Sequence, residues 1–421
     1  MLWYSAAMML SETLTLRGFV HQSSAEKLSD VTDGAVRTVY LGVDPTADSI
    51  HVGNLAGYML LRHFVDAGHK VIVLIGGGTG MIGDPKPDVE RPLTPPEEVA
   101  ARVQKLQIQA RRLLGDIPVE FVNNHDWLGE LNLINFLRDT GKHFTVNNLM
   151  KKDAIAERLK SEEGISYTEF AYPLLQAYDF WHLFIHRGCD VQIGGSDQWG
   201  NITAGVELIR RKEGKVAYAL TLPLIVDKAT GKKFGKSEGN AVWLDPLKTT
   251  PFQFLQFWLN ASDESVGDYL KLFTLRTLAD IEQLLITHSE APQKRGAQRA
   301  LAHAVTELVH GKPAADAALR TSEILFGDTD ISSVTPVERD MLLGCAPQSV
   351  VELGTSLVDA LEASKLASSK REARQFIEDG AVTVNGKKMT DVKHTVEDTD
   401  FVGTMALVKR GKRNAAIFVR A

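Results

Sequence analysis

His51 and Asn54 stand three residues apart with Gly53 between them, and Thr46 lies just upstream. At that spacing on a helix both side chains reach one point beyond the first turn, where free backbone N–H groups already favour an anion. Gly53 leaves room for a flat group, such as an adenine ring, to lie against the backbone. Much later, Lys233-Phe234-Gly235-Lys236-Ser237 sets two lysines in a glycine- and lysine-rich loop. Such donors and cations hold phosphate charge and steady it as it shifts. An isolated H-x-G-[HN] string also suits a helix cap with an exposed histidine, so it is the pair of stretches that points to chemistry. A third group is Tyr172, Gln176 and Asp179, which fall on one face of a segment that is otherwise apolar nearly all round, with Phe170, Leu174, Phe180 and Leu183 among its residues. Buried polar groups need partners, and either neighbouring backbone or a ligand fills that need.

The elements that must position these groups follow from hydrophobic periodicity. A β-prone run over 38–43 stops at Asp44-Pro45, and a helical pattern resumes after Ser49 with Leu55, Met59, Leu60 and Phe64 on one side. That is strand, turn, helix, with the ligand end at the strand's carboxyl terminus. The uninterrupted apolar run 70–75 suits a parallel strand covered on both faces. It leads into Gly76-Gly77-Gly78-Thr79-Gly80-Met81-Ile82-Gly83, a literal G-x-G-x-x-G, but Asp84-Pro85-Lys86-Pro87 prevents the helix that a dinucleotide fingerprint requires. These glycines are expected to let backbone approach a ligand, with Asp84 presented at the strand's end. Helix is expected over 94–114, strand over 119–122, and a pair of helices with polar breaks over 132–160. The helix of 166–186 contains Pro173, which suggests that its regular part begins there. A strand at 190–193 turns through Gly194-Gly195-Ser196-Asp197-Gln198 into a helix over 199–211, a second join facing the same crevice, with Asp197 placed for ribose hydroxyls. A strand over 220–226 precedes the lysine loop.

From about residue 251 the pattern is helical through 325, and Gly327, Pro336, Gly344, Pro347 and Gly354 then break it. Ser369 opens a short helix, and Val382 to Lys388 reads as a hairpin on an Asn-Gly turn. The fold class is therefore α/β: a Rossmann-like nucleotide-binding domain with a mainly parallel sheet over 1–249, an α-helical domain over 250–335, a linker at 336–354 and a small α+β domain over 355–421, whose helix and hairpin resemble the small RNA-binding fold named after a ribosomal small-subunit protein. With 421 residues, 44% hydrophobic and 24% charged, the chain has the composition of a soluble globular protein of several domains. Cys189 and Cys345 are its only cysteines, which fits a reduced, cytoplasmic protein without a structural zinc site. No run of 18 apolar residues indicates a membrane span. The first ten residues are apolar without a basic leader, and Met8 or Met9 are rival starts to Met1. The formal charge of −6 is uneven: residues 355–421 carry 12 Lys and Arg against 9 Asp and Glu, net +3, which leaves −9 for the rest. Basic clusters there, Lys387-Lys388 and Lys409 to Arg413, suit phosphate contact or a solvated tail.

The two phosphate stretches together resemble the HIGH and KMSKS signatures of class I aminoacyl-tRNA synthetases. The segments between them, including Phe136 to His143, Gln192 to Asn201 and Ala241 to Pro246, resemble the bacterial-type tyrosyl-tRNA synthetases, over about residues 17–420. The resemblance implies a catalytic domain over 1–249, an anticodon-binding helical domain over 250–335 and an RNA-binding domain over 355–421, and ligation of L-tyrosine to its tRNA, through tyrosyl-adenylate, in a cytoplasmic homodimer with its dimer region at about 124–165. It assigns Tyr40 and Asp179 to the substrate phenol, Tyr172, Gln176 and Asp84 to its ammonium, and Gln198 to its carboxylate. The ATP site falls on Gly42, Asp44, His51, Gly53, Asn54, Gly195, Asp197, Lys233, Lys236 and Ser237, with Thr46, His51, Lys233 and Lys236 as the catalytic donors. For tRNA the candidates are Arg210 and Arg211, which also suit a helix C-terminal dipole, and Lys370, Arg371 and Arg374.

A carboxylate is already a nucleophile at neutral pH, so adenylate formation needs no serine, cysteine or general base. Magnesium is expected with the ATP because of its phosphate charge, with no protein-bound metal or organic cofactor. Three positions depart from the family pattern. Asn54 replaces the usual second histidine and cannot become cationic, Leu41 replaces a polar or small residue, and the loop after Asp84 is one residue short, so that Lys86 and Arg91 match the pyrophosphate-side cations only loosely. Alternatives are the tryptophan enzyme of the same class, a non-catalytic RNA-binding paralogue, and a nucleotidyltransferase; Tyr40 with Asp179, the intact phosphate stretches, and the helical and terminal domains weigh against them in turn. Loss of everything after Gly354 is expected to spare adenylate formation and to reduce tRNA charging.

Overall fold

The computed structural model describes residues 8–86, 89–162, 164–226, 228, 231, 236–237, 240–327, 329, 331–411 and 414–421, and of Asp153, Lys236, Ser237 and Asn240 the backbone alone. Its contacts divide the chain into two units, Met1–Lys248 with Ala261–Ala297, and Thr249–Asn260 with Gln298–Ala421.

The first unit is built on a six-stranded sheet of β1 (Gln22–Ser23), β2 (Thr38–Val43), β3 (Lys70–Ile75), β4 (Val119–Asn123), β5 (Val191–Gly195) and β6 (Tyr218–Leu222), in the order β1-β6-β5-β2-β3-β4. Every pairing is parallel except that of β1 with β6 at the edge. Strand order runs one way from β2 through β3 to β4 and the other way from β5 to β6. The carboxyl ends of adjacent β2 and β5 are therefore a topological switch point, where such sheets open a crevice. Register sets Tyr40 of β2 opposite both Ile72 and Gln192. Val71 to Ile75 are all buried, as expected for a strand covered on both faces. Around the sheet lie α1 (Leu10–Arg17), α2 (Val52–Asp66), α3 (Pro96–Leu114), α4 (Tyr167–Arg187) and α5 (Trp199–Glu213). The buried guanidinium of Arg17 donates to the carbonyls of Lys271 at 2.8 Å and Thr274 at 3.0 Å, which satisfies orphan acceptors at the end of the helix Asp263–Phe273.

Four local expectations are corrected. The helix α4 begins at Tyr167 on a Ser166 cap and carries Pro173 inside it. Contacts made by its first turns, described below, compensate for the missing backbone donor. The strand expected to Val226 ends at Leu222, because Pro223 follows and offers no N–H to the ladder. The expected helix pair over 132–160 is four short pieces, Leu133–Asp139, Gly141–His143, Val146–Leu149 and Asp153–Arg158. The glycines after β3 serve side-chain packing: a methyl on Gly76 would overlap Asp44 and Thr79, and one on Gly77 would overlap Asn123.

In the second unit a five-stranded sheet runs in the order β11-β10-β12-β13-β9, with β9 (Gln348–Val351), β10 (Val382–Val384), β11 (Lys387–Met389), β12 (Met405–Arg410) and β13 (Asn414–Arg420). The β10–β11 hairpin turns on Asn385 and Gly386 at φ 47° and 82°, the sign that an Asn-Gly type I′ turn requires. Residues 336–354, expected as a linker, hold the helix Pro336–Cys345 and β9, which pairs with β13. Thr335 and Glu338 close a capping box around Pro336 at the helix start, and that signal outweighs the nearby breakers. Phe252, Ile324, Leu325 and Leu342 share one core with Met405, Leu407 and Ile417 of the sheet. Among the described residues no helix is long and apolar enough to cross a membrane.

Candidate active site

A cavity of about 650 Å³ opens at the β2/β5 switch point. Fourteen of the expected site residues line it: Tyr40, Gly42, Asp44, Thr46, His51, Gly53, Asn54, Asp84, Tyr172, Gln176, Asp179, Gly195, Asp197 and Gln198. At one end Tyr40 packs with Leu74, Phe180 and Leu183, and Asp179 is 1% exposed. Asp179 accepts hydrogen bonds from Trp127 Nε1 at 2.7 Å on one oxygen and Asn124 Nδ2 at 2.8 Å on the other. Burial pushes its carboxyl up to about 8 against these two donors. The same burial, with Asp179 nearby, raises the Tyr40 phenol well above its ordinary value. Tyr40 Oη, Gln176 Oε1 and Gln192 Oε1 are buried without a hydrogen-bond partner among the described residues. Each such orphan costs about 1–3 kcal/mol, so together they call for a polar ligand.

From Asp179 a continuous network leads outward. Asn124 also donates to Thr79 Oγ1 at 2.9 Å, Thr79 to Asp44 at 2.7 Å, and Tyr172 Oη to the other Asp44 oxygen at 2.8 Å. Tyr172 and Asp44, expected at different substrates, are thus direct partners. Asp84 accepts from Gln198 Nε2 at 2.8 Å and Asn201 Nδ2 at 3.0 Å, and burial raises its carboxyl to about 6. A carboxylate so placed suits a cation. Lys152, pushed down to about 8 by burial, is close enough for Asp84 to act on it electrostatically.

At the other end, His51 caps α2, and its Nδ1 accepts the Gly53 N–H at 3.0 Å. A neutral imidazole held this way carries its proton on Nε2, as a donor. The His51 ring lies edge-on to Trp243 with centroids 6.0 Å apart, and a backbone bridge joins the two residues. Lys233, Phe234 and Gly235 lie outside the described residues. The backbone of Lys236 and Ser237 forms β7 (Lys236–Ser237), which pairs with β8 (Asn240–Ala241) in a two-stranded antiparallel sheet. Its return leads from Ala241, on the cavity wall, to Trp243 opposite His51.

Two family models match the chain: "tRNA synthetases class I (W and Y)" over residues 33–327, and "Tyrosine--tRNA ligase SYY-like C-terminal domain" over residues 343–418. Tyrosine–tRNA ligase 2 of Enterococcus faecalis is 46% identical over 96% of this chain and 97% of its own. The chain belongs to the class I tyrosyl-tRNA synthetases. The tyrosine–tRNA ligase of Bacillus caldotenax is also 46% identical, over 95% of this chain and 97% of its own. Among solved structures, a C-terminally truncated mitochondrial tyrosyl-tRNA synthetase of Aspergillus nidulans superposes with a TM-score of 0.70 at 30% identity, covering 76% of this chain and 95% of that one.

The synthetase's remaining expected residues are not among those that line the cavity. Arg210 and Arg211, in the last turn of α5, both pair with Glu207, at 2.7 and 2.5 Å, and Arg211 also donates to the His143 carbonyl at 2.9 Å. Lys370, Arg371 and Arg374 are exposed on one short helix of the second unit, and Lys370 pairs with Asp359 at 2.8 Å. Sequence reasoning missed Thr79, Asn124, Trp127 and Asn201. Their residue types are unremarkable and their partners lie 35 to 117 positions away.

Proposed function

We propose that the cavity activates L-tyrosine with ATP and then passes the tyrosyl group to the terminal ribose of its tRNA. The observation that carries this reading is the orphaned Tyr40 hydroxyl at the buried end beside Asp179: a phenol hydroxyl donating to Asp179 and accepting from Tyr40 completes both. Phenylalanine would enter the same space and leave those groups unpaired. The substrate ammonium then faces Asp84 and Gln176, with Tyr172 held beside them through Asp44, and Gln198 stands near the carboxylate. A carboxylate oxygen attacks the α-phosphorus, the bond to the β-phosphate oxygen breaks, and pyrophosphate leaves. Thr46, the His51 Nε2–H, Lys233 and Lys236 balance the charge moving onto it. Asn54 contributes a neutral hydrogen bond. Gly42, Gly53 and Gly195 give close backbone approach, and Asp197 takes the ribose. Magnesium arrives with the ATP phosphates.

The functional division is a catalytic region 1–249, a helical region 250–335 and an RNA-binding region 355–421 whose Lys370, Arg371 and Arg374 meet tRNA; Arg210 and Arg211 meet the acceptor arm by releasing Glu207. Leu133, Ile134, Leu137, Val146 and Met150 are exposed in the 124–165 region, which supports a homodimer there. A cytoplasmic location completes the reading. Pyrophosphate exchange into ATP tests it: tyrosine supports exchange, and tryptophan or no amino acid does not. Exchange with tryptophan instead refutes the assignment. Lys236→Ala slows exchange at least tenfold while tyrosine KM changes less than threefold; equal changes in both would remove Lys236 from the charge-balancing role.

A further inference from the structure

Among the described residues of the first unit that do not touch the cavity, the most deeply buried charges are Arg158 and Glu169, whose side chains are 3% and 2% exposed and 3.0 Å apart. Burying an ion pair is costly, and such a pair rarely stabilises a fold more than apolar side chains of the same size would. What it holds is informative. Glu169 Oε1 accepts the backbone N–H of Arg91 at 3.1 Å, and Arg158 Nη1 donates to the carbonyl of Lys86 at 3.4 Å. A single ion pair thus pins the backbones of Lys86 and Arg91, both on the cavity wall, and Arg91 is held further by Nε donating to the Asp84 carbonyl at 2.7 Å. Arg158 is itself fixed by donating to the Gly164 carbonyl at 3.1 Å.

Glu169 also stands on the recognition face of α4. Glu169, Tyr172, Gln176 and Asp179 follow one another at helical spacing, three, four and three residues apart. From Glu169 to Asp179 the helix rises about 15 Å. One element therefore carries both Asp179, at the buried end of the cavity, and Glu169, which holds the Arg91 backbone. Pro173 falls between these positions, and the buried attachments at Glu169 and Tyr172 hold the first turns in place.

We infer that the Arg158–Glu169 pair is a clasp that places Lys86 and Arg91 for the departing pyrophosphate, and that Arg158 and Glu169 are positioning residues for adenylate formation. This rests on the proposed reaction. The test is a cycle in pyrophosphate exchange using Arg158→Met/Glu169→Leu, which removes both charges and leaves no lone buried ion, Arg91→Ala, and the combination. The clasp-free variant loses tenfold or more in kcat with tyrosine KM within twofold, and in the Arg91→Ala background the same change costs less than twofold more. Arg158→Lys keeps the charge without the guanidinium fork and falls between; it carries the test should the paired variant not fold. Losses that multiply across the cycle, or a tyrosine KM that rises as far as kcat falls, would make the pair a structural element only. Absence of tyrosine-dependent exchange in the unaltered chain would instead overturn the reaction itself.

Discussion

Asp84 shows how one side chain links the fold to its chemistry. Its carboxyl is raised to about 6 by burial, so the folded chain holds that proton more tightly than the unfolded chain does. The stability this contributes to the empty protein is fully present below about pH 4 and lost as pH rises through about 6; Asp179 extends the loss to about pH 8. A tyrosine ammonium requires Asp84 ionised and the phenol donates to an ionised Asp179, so kcat/KM for tyrosine falls as pH drops below about 8 and more steeply, by about a further tenfold per unit, below about 6. A pH profile of exchange measures this, and Asp84→Asn removes the steeper limb below pH 6 while raising the melting temperature of the empty protein at pH 8. A slope that does not steepen below pH 6 would mean that Asp84 does not meet a cation. Most of the cavity's side chains were legible because chemistry constrains them locally: His51 and Asn54 by helical spacing, Tyr172, Gln176 and Asp179 as polar groups on an apolar helix. Asn124 and Trp127 were not, since an asparagine before a short helix also reads as a turn.

Elements were legible where periodicity and caps agree, and misread where long-range contacts override local preference. Strands β2 and β3 lie where their apolar runs place them, whereas Pro173 sits inside α4 because Glu169 and Tyr172 anchor the turns before it. The glycine loop after β3 is the sharper case. Its sequence suggests ligand approach, but its spacing serves the Asp44 and Thr79 side chains. Gly76→Ala is therefore expected to cost about 1–3 kcal/mol in denaturant unfolding. It also displaces Asp44 and Thr79, so exchange falls at least tenfold. Full activity with unchanged stability would show that the loop yields freely.

For the molecule as a whole, the order of α/β, helical and small mixed regions was legible from composition and periodicity, but the core that spans the second unit was not. Met405, Leu407 and Ile417 bury Ile324 and Leu342, contacts that no local pattern announces. Removing everything after Gly354 would strip that core, so truncation confounds folding with tRNA binding. Charge reversal is the cleaner experiment. Arg371→Glu with Arg374→Glu leaves tyrosine-dependent exchange within twofold, lowers tRNA charging tenfold or more, and flattens its salt dependence. Unchanged charging would move the tRNA surface elsewhere. Substrate choice rests most on recognition of a phenol at the buried end of the cavity. The direct test is the ratio of kcat/KM for tyrosine over phenylalanine in pyrophosphate exchange, measured for the unaltered chain, Tyr40→Phe and Asp179→Asn. The ratio is expected to drop about tenfold for Tyr40→Phe and further for Asp179→Asn, through loss of tyrosine use; an unchanged ratio in both variants would contradict the account.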